Sequence, residues 1–208
     1  MAGDRRATAG NVIVTEKVDK VIELDATSMM AIAGVPATAF EIARTLQTAF
    51  EYYRRSQLQS LSLPARVRAL SRALRDNLAL TLQGVGVVAP IFAGLDTTLA
   101  PASPRIFFYD PLGAQFLSTT HAASGSGSNS IRSILSFHER FGSPHPSRYP
   151  RRDAIRFALR LLMTAAEFDA ATGGIEPTAA RFASLKILSD QGIESVPDAE
   201  QAASLAAS

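Results

Sequence analysis

Residues 105–118 read Arg-Ile-Phe-Phe-Tyr-Asp-Pro-Leu-Gly-Ala-Gln-Phe-Leu-Ser. Two β-rich runs, Arg105–Tyr109 and Ala114–Ser118, flank an Asp-Pro-Leu-Gly turn, which is the signature of a hairpin and hence of an antiparallel sheet. Upstream, Val85–Ala93 is a nearly continuous apolar run, as expected of a strand covered on both faces. Nearer the start, Asn11–Thr15, Lys20–Leu24 and Ser28–Ala33 are short β-rich runs punctuated by Gly10, Asp19 and Asp25, and they predict an antiparallel meander. Helical periods fill the gaps. Ala39, Ile42, Ala43, Leu46, Ala49, Phe50 and Tyr53 form the stripe of an amphipathic helix over 37–55. Leu63-Pro64 opens a second helix with Val67, Leu70, Leu74, Leu78 and Thr81 on one face, and Gly84 closes it. A small-residue loop, Ser124–Asn129, precedes a helix over about 130–138. The run 150–169 predicts a further helix, apolar over a wide arc and so substantially buried. Gly173-Gly174 ends it, 180–189 reads as a closing strand, and 197–208 as a frayed tail.

Runs of strands alternating with runs of helices indicate an α+β domain with antiparallel sheets, not an alternating parallel fold. The whole chain, 1–208, reads as one domain, with no internal repeat or linker. At 47% hydrophobic and 19% charged residues it can fill a core. The absence of cysteine removes disulfides, thiolate nucleophiles and cysteine zinc sites, and three scattered histidines argue against a metal centre. Lys+Arg 21 against Asp+Glu 19 is too balanced for a nucleic-acid partner to be read from charge. Gly84–Leu95, the longest apolar stretch, is well short of the ~20 residues of a membrane span and contains Pro90. Asp4, Arg5 and Arg6 stand where a secretory leader would need apolar residues, so the expectation is a cytoplasmic protein.

Ser124–Asn129 invites comparison with a phosphate-cradling loop, but no GK[ST] precedes the helix and a structural turn is the better reading. Gly125-Ser126-Gly127 is not the G-x-S-x-G of a serine hydrolase, and no histidine stands in a recognisable context. The arginines at 54–55, 66, 68, 72, 75, 148, 151 and 152 read as a solvated face or a subunit contact. The opening says more. Asp4 lies among small residues that let backbones approach, and Lys20 starts a strand able to lie beside it, so the two suit a buried ion pair.

Ala2-Gly-Asp-Arg-Arg-Ala-Thr-Ala-Gly-Asn11, Lys20, Ile32-Ala-Gly34, Gly125-Ser-Gly-Ser128 and Asp169-Ala-Ala-Thr-Gly-Gly174, taken together and in order, resemble a proteasome β-type subunit of the actinobacterial kind. The resemblance runs from Met1 to about Val196. It implies a four-layer αββα sandwich, two antiparallel sheets flanked by helices, and an N-terminal-nucleophile hydrolase in which a propeptide is removed to expose a threonine. That threonine attacks a peptide carbonyl, its own amine serving as base. By the resemblance Lys20 is the catalytic lysine, Asp4 orients it, and Ser126, Asp169 and Thr172 hold the nucleophile. The Gly34 N–H would stabilise the oxyanion, Thr8 would bond the extended substrate backbone, and Val18, Ile32 and Pro36 would shape the specificity pocket. Pro36 stands where the family usually has a small residue. Arg5-Arg6 and the Thr-Gly-Gly segment separate the chain from the simpler two-ring relative, which usually has Gly-Gln and a shorter chain.

The implied partners are other β-type subunits in a seven-membered ring, α-type subunits and a regulatory ATPase, with unfolded proteins as substrates. No metal or organic cofactor is implied, because one residue would supply nucleophile and base. The nucleophilic threonine itself, which in the family lies just before the segment matching Met1–Asp4, has no counterpart in the sequence. Either a start at an internal methionine leaves it out, or the chain is an inactive structural subunit. Retention of Asp4, Lys20, Ser126, Asp169 and Thr172 together favours the first.

Overall fold

A computed structural model of the chain describes residues 1–118 and 120–206. The contacts of the described residues divide them into two compact units: residues 1–20, 125–186 and 195–206 in the first, and residues 21–118, 120–124 and 187–194 in the second.

The first unit begins with β1 (Ala2–Gly3), which pairs antiparallel with the start of β9 (Ser184–Ser189) through Ala2↔Leu185 and Gly3↔Ser184. β2 (Ala7–Ala9) and β3 (Val12–Thr15) form a separate two-stranded hairpin turned at Gly10, whose φ of +58° suits glycine. Neither β1 nor β2 carries the β-branched or aromatic run that marks a strand. Asn11–Thr15 is therefore no part of a meander with the two strands after it, a correction to the reading of the opening. Helices α4 (Ser128–Phe141) and α5 (Arg151–Phe168) complete the middle of the unit; Ile155, Leu159, Leu161, Leu162 and Ala165 are buried on α5, but Met163, which the periodicity places on the same apolar arc, is exposed, so the arc is narrower than expected.

At the C-terminal end, Asp198–Ala206 is a helix, α6, where a frayed tail was expected; residues 207 and 208 of that tail lie outside the described residues. Its anchor is polar. Gln201 is fully buried, its Oε1 accepts from the Ala183 N–H at 3.1 Å, and its Nε2 donates to the carbonyls of Ala183 and Val196 at 3.1 Å each. An Ala- and Ser-rich stretch docked through an amide offers no apolar stripe to read.

In the second unit, β4 (Val21–Asp25), β5 (Ser28–Ala31), β6 (Ile91–Asp96), β7 (Ser103–Tyr109) and β8 (Gln115–Ser118) make one antiparallel sheet in sequence order. The β7–β8 hairpin pairs Tyr109 with Gln115 around the expected turn, where Asp110 Oδ1 accepts from the N–H groups of Leu112 and Ala114. Helices α1 (Pro36–Gln57) and α2 (Leu63–Asp76) bury Ile42, Leu46, Phe50, Val67, Leu70 and Leu74 with Met30 and Phe92 in one core. Tyr109 joins that core and donates its hydroxyl to the Val67 carbonyl at 2.9 Å, which satisfies the one polar atom its ring brings inside.

Three readings shift here. The strand expected over 85–93 starts at Ile91, because Pro90 lacks an N–H for the ladder; its Phe92–Leu95 portion is buried at every residue, as a doubly covered strand should be. The second helix breaks at Asn77, whose side chain donates to the Gly86 carbonyl at 2.7 Å, and resumes as α3 (Leu78–Leu82). Arg66 does not lie on a solvated face. It is 4% exposed, its Nε 3.2 Å from Asp25 and its Nη1 donating to Thr27 at 2.7 Å.

Replacing Gln201 by Ala takes the amide partner from the Ala183 N–H and the Val196 carbonyl, while the Ala183 carbonyl keeps its bond from Arg5 Nη2 at 3.2 Å. The Gln201→Ala variant should lose about 2 kcal/mol or more of stability in denaturant unfolding, with residues 198–206 becoming protease-sensitive first.

Candidate active site

Asp4 follows β1 directly, and its carboxylate accepts from three donors. Oδ1 accepts from the Lys20 ammonium at 2.7 Å, while Oδ2 accepts from the Arg6 N–H and the Gly173 N–H, each at 2.9 Å. The Arg6 bond spans two residues and is the Asx turn that an aspartate in a tight segment makes. Both charged side chains are mostly screened from solvent, so the pair expected from the sequence alone is present.

The second carboxylate is built the same way. Asp169 stands at the C-terminus of α5, and its Oδ1 accepts from the Ala171 N–H at 3.1 Å in another Asx turn, while Thr172 N–H donates to the Asp169 carbonyl at 3.0 Å. Its Oδ2 accepts from Ser126 Oγ and Thr172 Oγ1, both at 2.5 Å. Burial works to raise the Asp169 pKa, but the hydrogen bonds from Ser126, Thr172 and Ala171 and the field of the Lys20 ammonium outweigh it, and the carboxyl lies below its usual range. The two carboxylate clusters are thus joined, by Lys20 through space and by the 169–173 loop through bonds.

Close approach enforces glycine at two positions. A Cβ on Gly173 would stand 2.9 Å from the Arg6 Cβ and 3.2 Å from Asp4 Oδ2; one on Gly127 would stand 2.8 Å from Thr172 Oγ1. Neither glycine follows from spacing, although both lie inside the quoted Gly-Ser-Gly-Ser and Thr-Gly-Gly segments. Arg6 and Glu16 were also missed. The Arg6 guanidinium donates to the carbonyls of Ala170 and Thr172 and to Glu16, and Glu16 is held from its other side by Arg181 at 2.9 Å. At the end of the β1 ladder, the Met1 nitrogen donates to the Lys186 carbonyl at 2.7 Å and the Lys186 N–H to the Met1 carbonyl at 2.9 Å.

Of the remaining predicted residues, Thr8 lies on β2 opposite Ile13, and the Val18 N–H donates to the Arg5 carbonyl at 3.0 Å, both in the first unit. Ile32, Gly34 and Pro36 belong to the second. Ile32 is 8% exposed and packs in that unit's core, and Pro36 is exposed at the first turn of α1. Gly34 has φ +108° and forms a bridge with Val88. The bonds of that bridge run from the Val35 N–H to the Val87 carbonyl and from the Ala89 N–H to the Ala33 carbonyl, and do not use the Gly34 N–H. Among the described residues no group of three or more His, Asp or Glu could hold a metal ion, and no helix is long and apolar enough to cross a membrane.

A lysine–carboxylate pair thus stands beside a serine–aspartate–threonine cluster on an α+β fold with antiparallel sheets. Comparison with known proteins supplies the class. The sequence model of the proteasome subunit family matches residues 1–176. The chain is similar to proteasome subunit beta of Stackebrandtia nassauensis, 37% identical over 202 residues, covering 96% of this chain and 70% of the relative. The corresponding protein of Acidothermus cellulolyticus is 36% identical, with 95% and 67% covered, and that of Acidimicrobium ferrooxidans is 34% identical, with 96% and 70% covered. The chain belongs to the proteasome subunit family as a β-type subunit, and with it to a family of peptide hydrolases whose members assemble into the proteasome core.

Because the folded pKa of Asp169 is depressed, its contribution to stability is present above its unfolded value near 3.9 and fades as pH falls through the folded one. The difference in unfolding free energy between the wild type and Asp169→Asn should therefore be constant at neutral pH and shrink below about pH 4, as followed by denaturant titration at each pH.

Proposed function

We propose that this β-type subunit is a working threonine-type endopeptidase, and that Asp4, Lys20, Ser126, Asp169 and Thr172 support a threonine nucleophile on the strand that runs into Met1. The observation that carries the reading is the joined network. Five polar side chains from four stretches of the chain are bonded in two clusters at distances of 2.5–2.7 Å, and the Lys20 ammonium of one acts on the Asp169 carboxylate of the other through its field. A purely structural subunit gains little from such an arrangement, since apolar packing would serve as well. The hydrogen bonds between Met1 and Lys186 supply a register in which an incoming strand can continue along the same ladder.

In the proposed mechanism the threonine hydroxyl attacks the peptide carbonyl and passes its proton to the threonine's own amine. The Lys20 ammonium keeps that amine neutral and stabilises the alkoxide as it forms. Asp4 fixes Lys20 with one oxygen while its other oxygen is committed to backbone, so the lysine has one preferred position. Ser126, Asp169 and Thr172 hold the nucleophile's amine and hydroxyl in the attacking geometry. The Gly34 N–H is proposed to receive the oxyanion, a role worth about 3 kcal/mol where such a donor has been removed. Thr8 is proposed to hold the substrate backbone, and Val18, Ile32 and Pro36 to shape cleavage preference.

The reading extends to the assembly: a single β-type domain in a seven-membered ring, stacked with α-type rings, fed with unfolded protein by a regulatory ATPase, in the cytoplasm. Its test is the intact mass and first residue of the protein purified from its own source, with a fluorogenic peptide assay beside it. Threonine at the N-terminus and cleavage that falls about 10²–10⁴-fold in Lys20→Ala are expected. A different first residue together with no cleavage would make the chain an inactive ring subunit.

A further inference from the structure

We infer that Arg6 is a positioning residue of this site: its guanidinium clamps the loop 169–173 from outside, and so sets the height at which the Gly173 N–H meets Asp4 and Thr172 Oγ1 meets Asp169. The inference rests on the proposed function, and it concerns a side chain that the mechanism does not use.

The geometry is that of a staple with three feet. Arg6 Nη1 donates to the Ala170 carbonyl at 2.9 Å and to the Thr172 carbonyl at 3.3 Å, two groups on one turn of loop. On its other edge, Nε and Nη2 donate to Glu16 Oε1 at 3.1 and 2.7 Å. Glu16 is itself fixed, since its second oxygen accepts from Arg181 at 2.9 Å, and Arg181 is paired with Glu176 as well. Every donor used is on a planar fork, so the loop cannot slide along Arg6 without breaking two bonds together. The backbone of the same residue completes the device: the Arg6 N–H shares Asp4 Oδ2 with the Gly173 N–H, and Gly173 lies so close to the Arg6 Cβ that no side chain fits between them. One residue therefore grips the loop by its side chain and the carboxylate by its backbone. Lysine at this position keeps the charge but is a point donor, unable to reach both carbonyls and Glu16 at once.

Arg6→Gln and Arg6→Lys in the full chain test this with two readouts. The first is amide hydrogen exchange. In Arg6→Gln the Gly173 N–H should exchange at least about tenfold faster, while the Ala183 N–H held by Gln201 is unchanged. Arg6→Lys should fall between the two. Unaltered Gly173 protection in a folded Arg6→Gln protein would overturn the inference. The second readout is peptide cleavage by the assembled, processed protein. Here kcat should drop roughly tenfold with KM within about twofold, and free guanidinium should restore part of the loss, because the missing piece is a donor and not a packing volume. A loss that only tracks a lower melting temperature, with no rescue, would also overturn it. If the wild type cleaves nothing and Lys20→Ala changes nothing, the proposed function fails, and the exchange measurement decides the Arg6 clamp by itself.

Discussion

The Asp4 carboxylate is the constraint on which the site depends. A carboxylate has room for about four donors, and here three are protein groups from three separate stretches: Lys20, the Arg6 backbone and the Gly173 backbone. Because Oδ2 is shared by two N–H groups, Asp4 cannot rotate to follow Lys20 if the lysine moves; the lysine must stay with it. Charge-assisted bonds of this kind are roughly twice as strong as neutral ones, and they fix direction as well as distance. Asp169 repeats the device with hydroxyl donors in place of the ammonium. Between them the two carboxylates turn flexible groups, a lysine stem and two hydroxyl rotors, into fixed ones.

Fixing such groups beforehand is what the proposed acyl transfer requires of the residues around its nucleophile. The reaction gains when proton carriers need no rearrangement as charge develops. The backbone carries much of the burden. Four of the bonds that orient the two carboxylates or their loop come from N–H groups, at Arg6, Gly173, Ala171 and Thr172, which require a chain trace and tolerate many side chains. Glycine is the exception, at 127 and 173, where the tolerance ends.

Much of the fold is written in local periodicity. The stripes of α1 and α5 and the Asp-Pro-Leu-Gly hairpin are visible because each buries a regular set of apolar residues against one surface. What escaped that reading has no such regularity. Strands β1 and β2 are made of Ala, Gly and Thr and owe their extended form to their partners; α6 docks through the buried Gln201 amide and the Arg151–Glu200 pair; Arg66 is drawn inside by Asp25 from a different element. The site divides along the same line. The Asp4–Lys20 pair could be expected from the cost of burying either charge alone, whereas Ser126 and Asp169 are 43 positions apart and nothing local in either segment names the other. Their partnership came into view only with the family resemblance, and the Arg6–Glu16 bonds not even then, because charged pairs at the surface of a sequence look alike.

The bond between Asp4 and Gly173 joins residues 169 positions apart. Contacts of such long sequence separation carry a loop-closure cost and are late events in folding. During synthesis the Gly173 N–H that meets the Asp4 carboxylate is made 169 positions after it. Until then a nascent chain can give Asp4 only the Arg6 N–H and the Lys20 ammonium, and the carboxylate reaches its folded geometry only when the 169–173 loop arrives.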